Sequence, residues 1–107
     1  DNALSQINYF PSMPSKTIRK VPLTDQQYHD YASMAGQLAH QRLMLLVGQP
    51  GFMVMPRGQQ VQAIDAVIRS SRELARNTTM MRYPQIMQQA LNTKMTILKT
   101  GSKPPPP

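Results

Sequence analysis

The chain has 107 residues, 12 Lys and Arg against 5 Asp and Glu, ten Pro, nine Met, two His, and no Cys or Trp. That length allows one small domain or part of a larger one. The absence of Cys excludes a disulfide framework, a thiolate metal site and a cysteine nucleophile, and two His are too few for a multi-histidine metal site. A chain with 16% charged and 6% aromatic residues suits a scaffold or binder better than a catalyst.

Residue 1 is Asp, which points to a processed chain or an ordered slice of something longer. Residues 1–10 contain no basic region followed by an apolar stretch, so they do not read as a signal peptide. Residues 1–22 show no sustained period. Pro11, Pro14 and Pro22 each remove a backbone donor and bias the preceding residue toward extended geometry. The expectation is an extended N-terminal arm, made basic by Lys16, Arg19 and Lys20, that is either solvated or laid along a partner.

Thr24 can cap a helix, and Gln27 completes a Ser/Thr-x-x-Glu/Gln box, with Asp25 favouring the positive end of the helix dipole. Leu23 and Tyr28 can form a hydrophobic staple. Apolar positions from Tyr28 to Leu46 mostly keep helical spacing, and Gly48 and Pro50 stop the run. The spacing predicts a first helix over 25–47. Gly48 is expected in the left-handed region, and Gly36 is expected where another backbone comes close. The longest uninterrupted apolar run, Leu43 to Val47, is far below the roughly 20 residues of a membrane span.

Residues 48–58 are bounded by Gly and Pro and read as a loop. The apolar centre Phe52-Met53-Val54-Met55 would either plug the helix pair or form an adaptable methionine-rich contact for another chain. A second helix is predicted over 59–77, with Val61, Ile64, Ile68, Ser71 and Ala75 on one stripe. Thr78 and Thr79 read as a polar link. Pro84 opens a third helix over 84–99, with Ile86, Met87, Ala90, Leu91, Ile97 and Leu98 as its face and Gly101 as its stop. Pro104 to Pro107 predict a polyproline II tail over 101–107. The fold class is all-α, a helical hairpin plus a third helix, in a helical segment over 23–100 flanked by extended Pro-rich arms.

No catalytic constellation emerges. Asp25 is a helix-start residue, Asp65 and Glu73 alternate with basic residues, and no acid pair has a spacing suited to acid–base work. His29 and His40 sit 11 residues apart on one helix. Their axial separation is then roughly 16 Å, too far to chelate one metal. No catalytic residue, metal or cofactor is expected, and the chain reads as a non-enzyme.

The charge is uneven. Residues 66–107 hold seven Lys and Arg against Glu73 alone, whereas residues 1–65 are nearly balanced. Arg69, Arg72 and Arg76, spaced by three and four, share a helix face. With Arg82 they form a candidate grip for nucleic-acid phosphates or an acidic partner surface, against the plainer reading of a solvated face with Glu73 paired locally. No base-reading motif accompanies the row, so any nucleic-acid contact would be to backbone and salt-sensitive.

Two segments carry a resemblance. Val21-Pro22-Leu23-Thr24-Asp25-Gln26-Gln27-Tyr28-His29-Asp30-Tyr31, followed by Ala35-Gly36, resembles a helix-opening pattern near the C-terminal end of very large bacteriophage proteins. Ile64-Asp65-Ala66-Val67-Ile68-Arg69-Ser70-Ser71-Arg72-Glu73-Leu74-Ala75-Arg76 resembles the next helix of that pattern. Gln26, Gln27, Gln59 and Gln60 stand where the family usually carries acids.

The resemblance is to internal virion, or ejection, proteins, which are packaged near the portal and leave with the genome. It implies a structural segment in the capsid interior that docks to portal or core proteins in several copies, with possible backbone contact to packaged DNA. No small-molecule substrate and no membrane span are implied for this segment. Lys16, Arg19, Lys20 and Phe52 to Met55 are the candidate partner contacts. The alternatives are a free-standing basic nucleic-acid-binding module and the C-terminal fragment of a giant virion enzyme with catalysis upstream.

Overall fold

The computed structural model describes residues 11–100. It is mainly α-helical: two short strands, β1 (Thr17–Ile18) and β2 (Val21–Pro22), precede α1 (Asp25–Val47), a 3-10 turn (Phe52–Val54), α2 (Arg57–Arg82) and α3 (Pro84–Thr100). The long axis measures 54 Å against 27 and 18 Å across. The expected polyproline tail, the stop at Gly101 and residues 1–10 of the arm lie outside the described residues.

The capping box predicted at Thr24 forms. Thr24 Oγ1 accepts from the Gln27 amide at 3.1 Å, and Gln27 Oε1 accepts from the Thr24 amide at 2.9 Å. Two otherwise orphan donors are thereby satisfied, which fixes where α1 starts. From there Gln27, Tyr31, Ala35 and Leu43 recur at multiples of four and are buried, while α2 buries Gln60, Ile64, Ile68, Ser71, Ala75 and Thr79 at spacings of four and three. These two stripes close an antiparallel hairpin in which Arg42 lies beside Ser70 and Tyr31 beside Arg76.

Its interior divides into two apolar clusters. One joins Leu43, Phe52, Ile64 and Ile68 at the loop end. The other joins Ile18, Val21, Tyr31, Ala35, Ala75, Met80 and Ile86 at the opposite end. Between Ile68 of one cluster and Ala75 of the other, α2 carries Ser71, wholly buried.

The expected extended arm is corrected. Residues 17–22 form an antiparallel two-strand hairpin, with Ile18 opposite Val21 and Thr17 opposite Pro22. Ile18 and Val21 are both buried in the second cluster. Burying each is worth roughly 1.5 to 3 kcal/mol, which offsets part of the cost of ordering the arm. Arg19 and Lys20 form the turn, both in the left-handed region at φ 50° and 67°. Leu23 and Tyr28, the expected staple, both pack against this cluster.

Four further expectations change. Gly48 has φ −82° and is not left-handed; the positive φ, 88°, falls at Gly51. A Cβ at Gly36 would meet nothing within 4 Å, so no backbone comes close there. α2 begins at Arg57 and runs through Thr78 and Thr79 to Arg82. Those threonines stay helical because their hydroxyls bond the carbonyls one turn back, Leu74 at 3.0 Å and Ala75 at 2.7 Å.

The third helix starts at Pro84 as predicted, one residue after α2 ends, since Tyr83 before a proline is driven out of helical geometry. Its expected single apolar face is divided. Ile86, Met87 and Ala90 pack on the body, whereas Leu91 and Leu98 are exposed, as is Met95.

Candidate partner-docking surface

The arginine row comes first. Arg69, Arg72 and Arg76 do lie on one side of α2, but they are not equivalent. Arg72 reaches the N-terminal segment and donates to the Ser12 carbonyl. Arg76 donates to Glu73 at 2.7 Å and to the Tyr31 hydroxyl at 3.4 Å, and in doing so lowers the Glu73 carboxyl below its ordinary range. Arg69 is exposed. Arg82 points elsewhere, 4.0 Å from the Asp30 carboxylate on α1. Two of the four candidate cations thus spend donors on their own chain, and the surface is not a continuous phosphate grip.

Asp30 is the centre of a small polar clasp that the sequence did not reveal. It accepts from the Tyr83 hydroxyl and, at 3.0 Å, from Gln26 Nε2. The Tyr83 bond, aided by Gln26 and Arg82, holds the Asp30 carboxyl below the usual carboxylate range, and Asp30 in turn raises Tyr83. The clasp fastens the corner between α2 and α3 to α1.

The basic arm is fastened in the same manner. Tyr28 donates its hydroxyl to the Pro14 carbonyl at 3.1 Å, and Lys16 Nζ sits 5.7 Å from the centre of the Tyr28 ring. Lys16, Arg19 and Lys20 all face solvent. Between this arm and the two long helices lies a cleft of ≈ 400 Å³ floored by Ala32, Ala35, Gly36 and Ala39.

The Phe52-to-Met55 loop splits between the two roles expected of it. Phe52 is buried and Met55 packs partly against the same cluster, but Met53 is exposed and Val54 is 85% exposed. Gln60, buried, anchors the loop by donating Nε2 to the Phe52 carbonyl at 2.8 Å. Glutamine in a helix start carries no local signal for that role.

At the far end, α2, α3 and the β1–β2 turn enclose a cleft of ≈ 560 Å³ lined by Arg19, Asn77, Met80, Met81, Pro84, Met87, Gln88 and Leu91. No carboxylate lines it. Among the described residues no group of three or more His, Asp or Glu could hold a metal ion, and no helix is long and apolar enough to cross a membrane.

Comparison with protein-family models, curated proteins and solved structures finds no match. The functional reading therefore rests on the chain's own residues and on the resemblance of its two helical segments.

Proposed function

We propose that this chain is a non-enzymatic structural segment of a phage virion, of the internal or ejection class, that docks to portal or core proteins inside the capsid. The observation that carries the proposal is the position of the two resembling segments. Within Val21 to Tyr31 with Ala35-Gly36, and within Ile64 to Arg76, the inward-facing Tyr31, Ala35, Ile64, Ile68 and Ala75 belong to the two apolar clusters of the α1–α2 hairpin. A resemblance confined to exposed positions would say little about architecture, and this one coincides with the framework.

The outer surface supports a docking role. Met53, Val54, Leu45, Met81, Leu91, Met95 and Leu98 are exposed. Leu91, Met95 and Leu98 follow one another along one face of α3, and a contiguous exposed apolar patch marks an interaction site, whereas the others stand singly or in pairs along the chain. Any contact with packaged DNA would fall to Arg69 and the turn residues Arg19 and Lys20, whose charges are at the surface. The alternative of a free-standing nucleic-acid module is less favoured, because Arg72 and Arg76 are engaged within the chain.

The test is quantitative mass spectrometry of purified, genome-filled particles and of the same particles emptied of DNA. The expected result is peptides of this chain in the filled particles and their loss with the genome. Absence from filled particles would end the proposal.

A further inference from the structure

The cleft between α2, α3 and the β1–β2 turn has a chemistry that the docking role does not by itself specify. Its floor is methionine: Met80 is buried, Met87 half-buried, and Met81 is 82% exposed. Methionine is unbranched and polarizable, and it re-packs around incoming side chains. The cleft does not end at Leu91. On α3, residues 84, 88, 91, 95 and 98 follow one another at spacings of four and three, so they share a face. Leu91, Met95 and Leu98 on that face are exposed, which extends the apolar floor by two helical turns beyond the body. A continuous apolar track of this length fits the a/d-type stripe of a helix laid alongside it.

The charged residues that line the cleft or belong to α3 are all cations. Arg19 borders the cleft, Lys94 is exposed one turn beyond Leu91, and the only charged residues of α3 are the two cations Lys94 and Lys99. Of the acids on the neighbouring helices, Glu73 is engaged by Arg76, and Asp30 by Tyr83 and Arg82. A second copy of this chain would bring +7 against +7, and its α3 would oppose lysine with lysine. Like charges brought together at an interface are strongly penalised, and opposite ones are favoured.

We infer that this methionine-floored track is a docking site for an amphipathic helix from a different protein, one with leucine-like side chains on one face and carboxylates along its edges. The inference rests on the docking role proposed above and names the partner's chemistry. Met81, Leu91 and Met95 supply the floor that receives the apolar stripe. Arg19 and Lys94 steer and orient the acidic edges.

The probe is a fluorescent 18-residue helical peptide with Leu at alternating spacings of three and four and Glu elsewhere. Its counterpart has every Glu replaced by Lys. Fluorescence anisotropy with the 107-residue chain should show saturable binding of the acidic peptide and none of the basic one. Met81→Ser and Leu91→Gln, each at an exposed position and each checked by circular dichroism for intact helix, should weaken binding about tenfold or more. Arg57→Gln, at the opposite end of α2, should leave it within about twofold.

Equal loss in Arg57→Gln would mean diffuse charge attraction and would overturn the inference. So would absence of peptide binding, self-association of the chain through Leu91 in sedimentation, or Leu91-dependent binding to vesicles containing phosphatidylserine in place of the peptide. The outcome is separable from the virion reading. A chain found in particles that ignores the peptide loses this track alone, whereas a chain absent from particles that binds the peptide keeps the track and loses the virion.

Discussion

Asp30 shows how one side chain decides the setting of two helices. Its carboxylate receives Tyr83 and Gln26 and faces Arg82, so its folded pKa lies below the unfolded value. A depressed carboxylate contributes stability that is present above its unfolded pKa of about 3.9 and is lost as pH falls through the lower folded value. The melting temperature should therefore drop as the pH falls below about 4 and on through the lower folded value. Asp30→Asn should lower the melting temperature at pH 7 and flatten the acid dependence. An unchanged acid limb in that variant would place the titration elsewhere.

Gly36 makes the opposite case. It sits exposed in the middle of α1 with open space where a Cβ would go. Gly36→Ala should stabilise the chain by about 1 kcal/mol from helix propensity alone, read as a rise in thermal midpoint. The sequence suggested a close approach at this glycine because mid-helix glycine usually has a packing reason; space around it is not legible from the chain.

At the level of elements, what could be read in advance follows local rules. The α1 start was legible because a capping box is a four-residue signal, and the α3 start because Pro84 acts on its own neighbour. The end of α2 was not, since Thr78 and Thr79 resemble a linker and only their back-bonds to Leu74 and Ala75 keep the helix going. The β1–β2 hairpin was missed for a different reason. Arg19-Lys20 is not a turn dipeptide of the Asn-Gly kind, and the strands hold together through burial of Ile18 and Val21 against helices far along the chain.

That dependence is testable: Ile18→Ala should cost about 2 to 5 kcal/mol, as for buried aliphatic side chains elsewhere, with the loss read in chemical denaturation. A cost near zero would mean the hairpin merely rests on the body. The docking residues were partly legible as well. Phe52 to Met55 were marked by composition, yet only Met53 and Val54 face outward, because Phe52 is claimed by the core and its carbonyl by Gln60.

Across the whole molecule, packing is graded along the 54 Å axis. The α1–α2 hairpin has both apolar clusters, whereas α3 is fixed at its start by Ile86, Met87 and Ala90 and presents Leu91, Met95 and Leu98 to solvent further on. Local opening free energy follows buried apolar contact. Amide hydrogen exchange should accordingly be slowest in the middle of α1 and α2 and fastest, among the helices, after Leu91 in α3. Uniform protection along α3 would contradict this gradient. The sequence showed an amphipathic third helix but not this division, because helical period gives a face and says nothing about where the neighbouring surface stops.

The turn at Arg19 and Lys20 has a consequence for how its charges are delivered. Left-handed backbone costs a residue with a side chain roughly 1 to 2 kcal/mol, which glycine would avoid. The chain carries that cost twice, at φ 50° and 67°, and Ile18 and Val21 beneath the turn hold it in place. Two cations that would swing freely on a loose leader are mounted instead on ordered backbone. A contact made by them forgoes the entropy of catching a moving segment, so the tip behaves as a preorganised handle whose affinity was set aside when the hairpin folded.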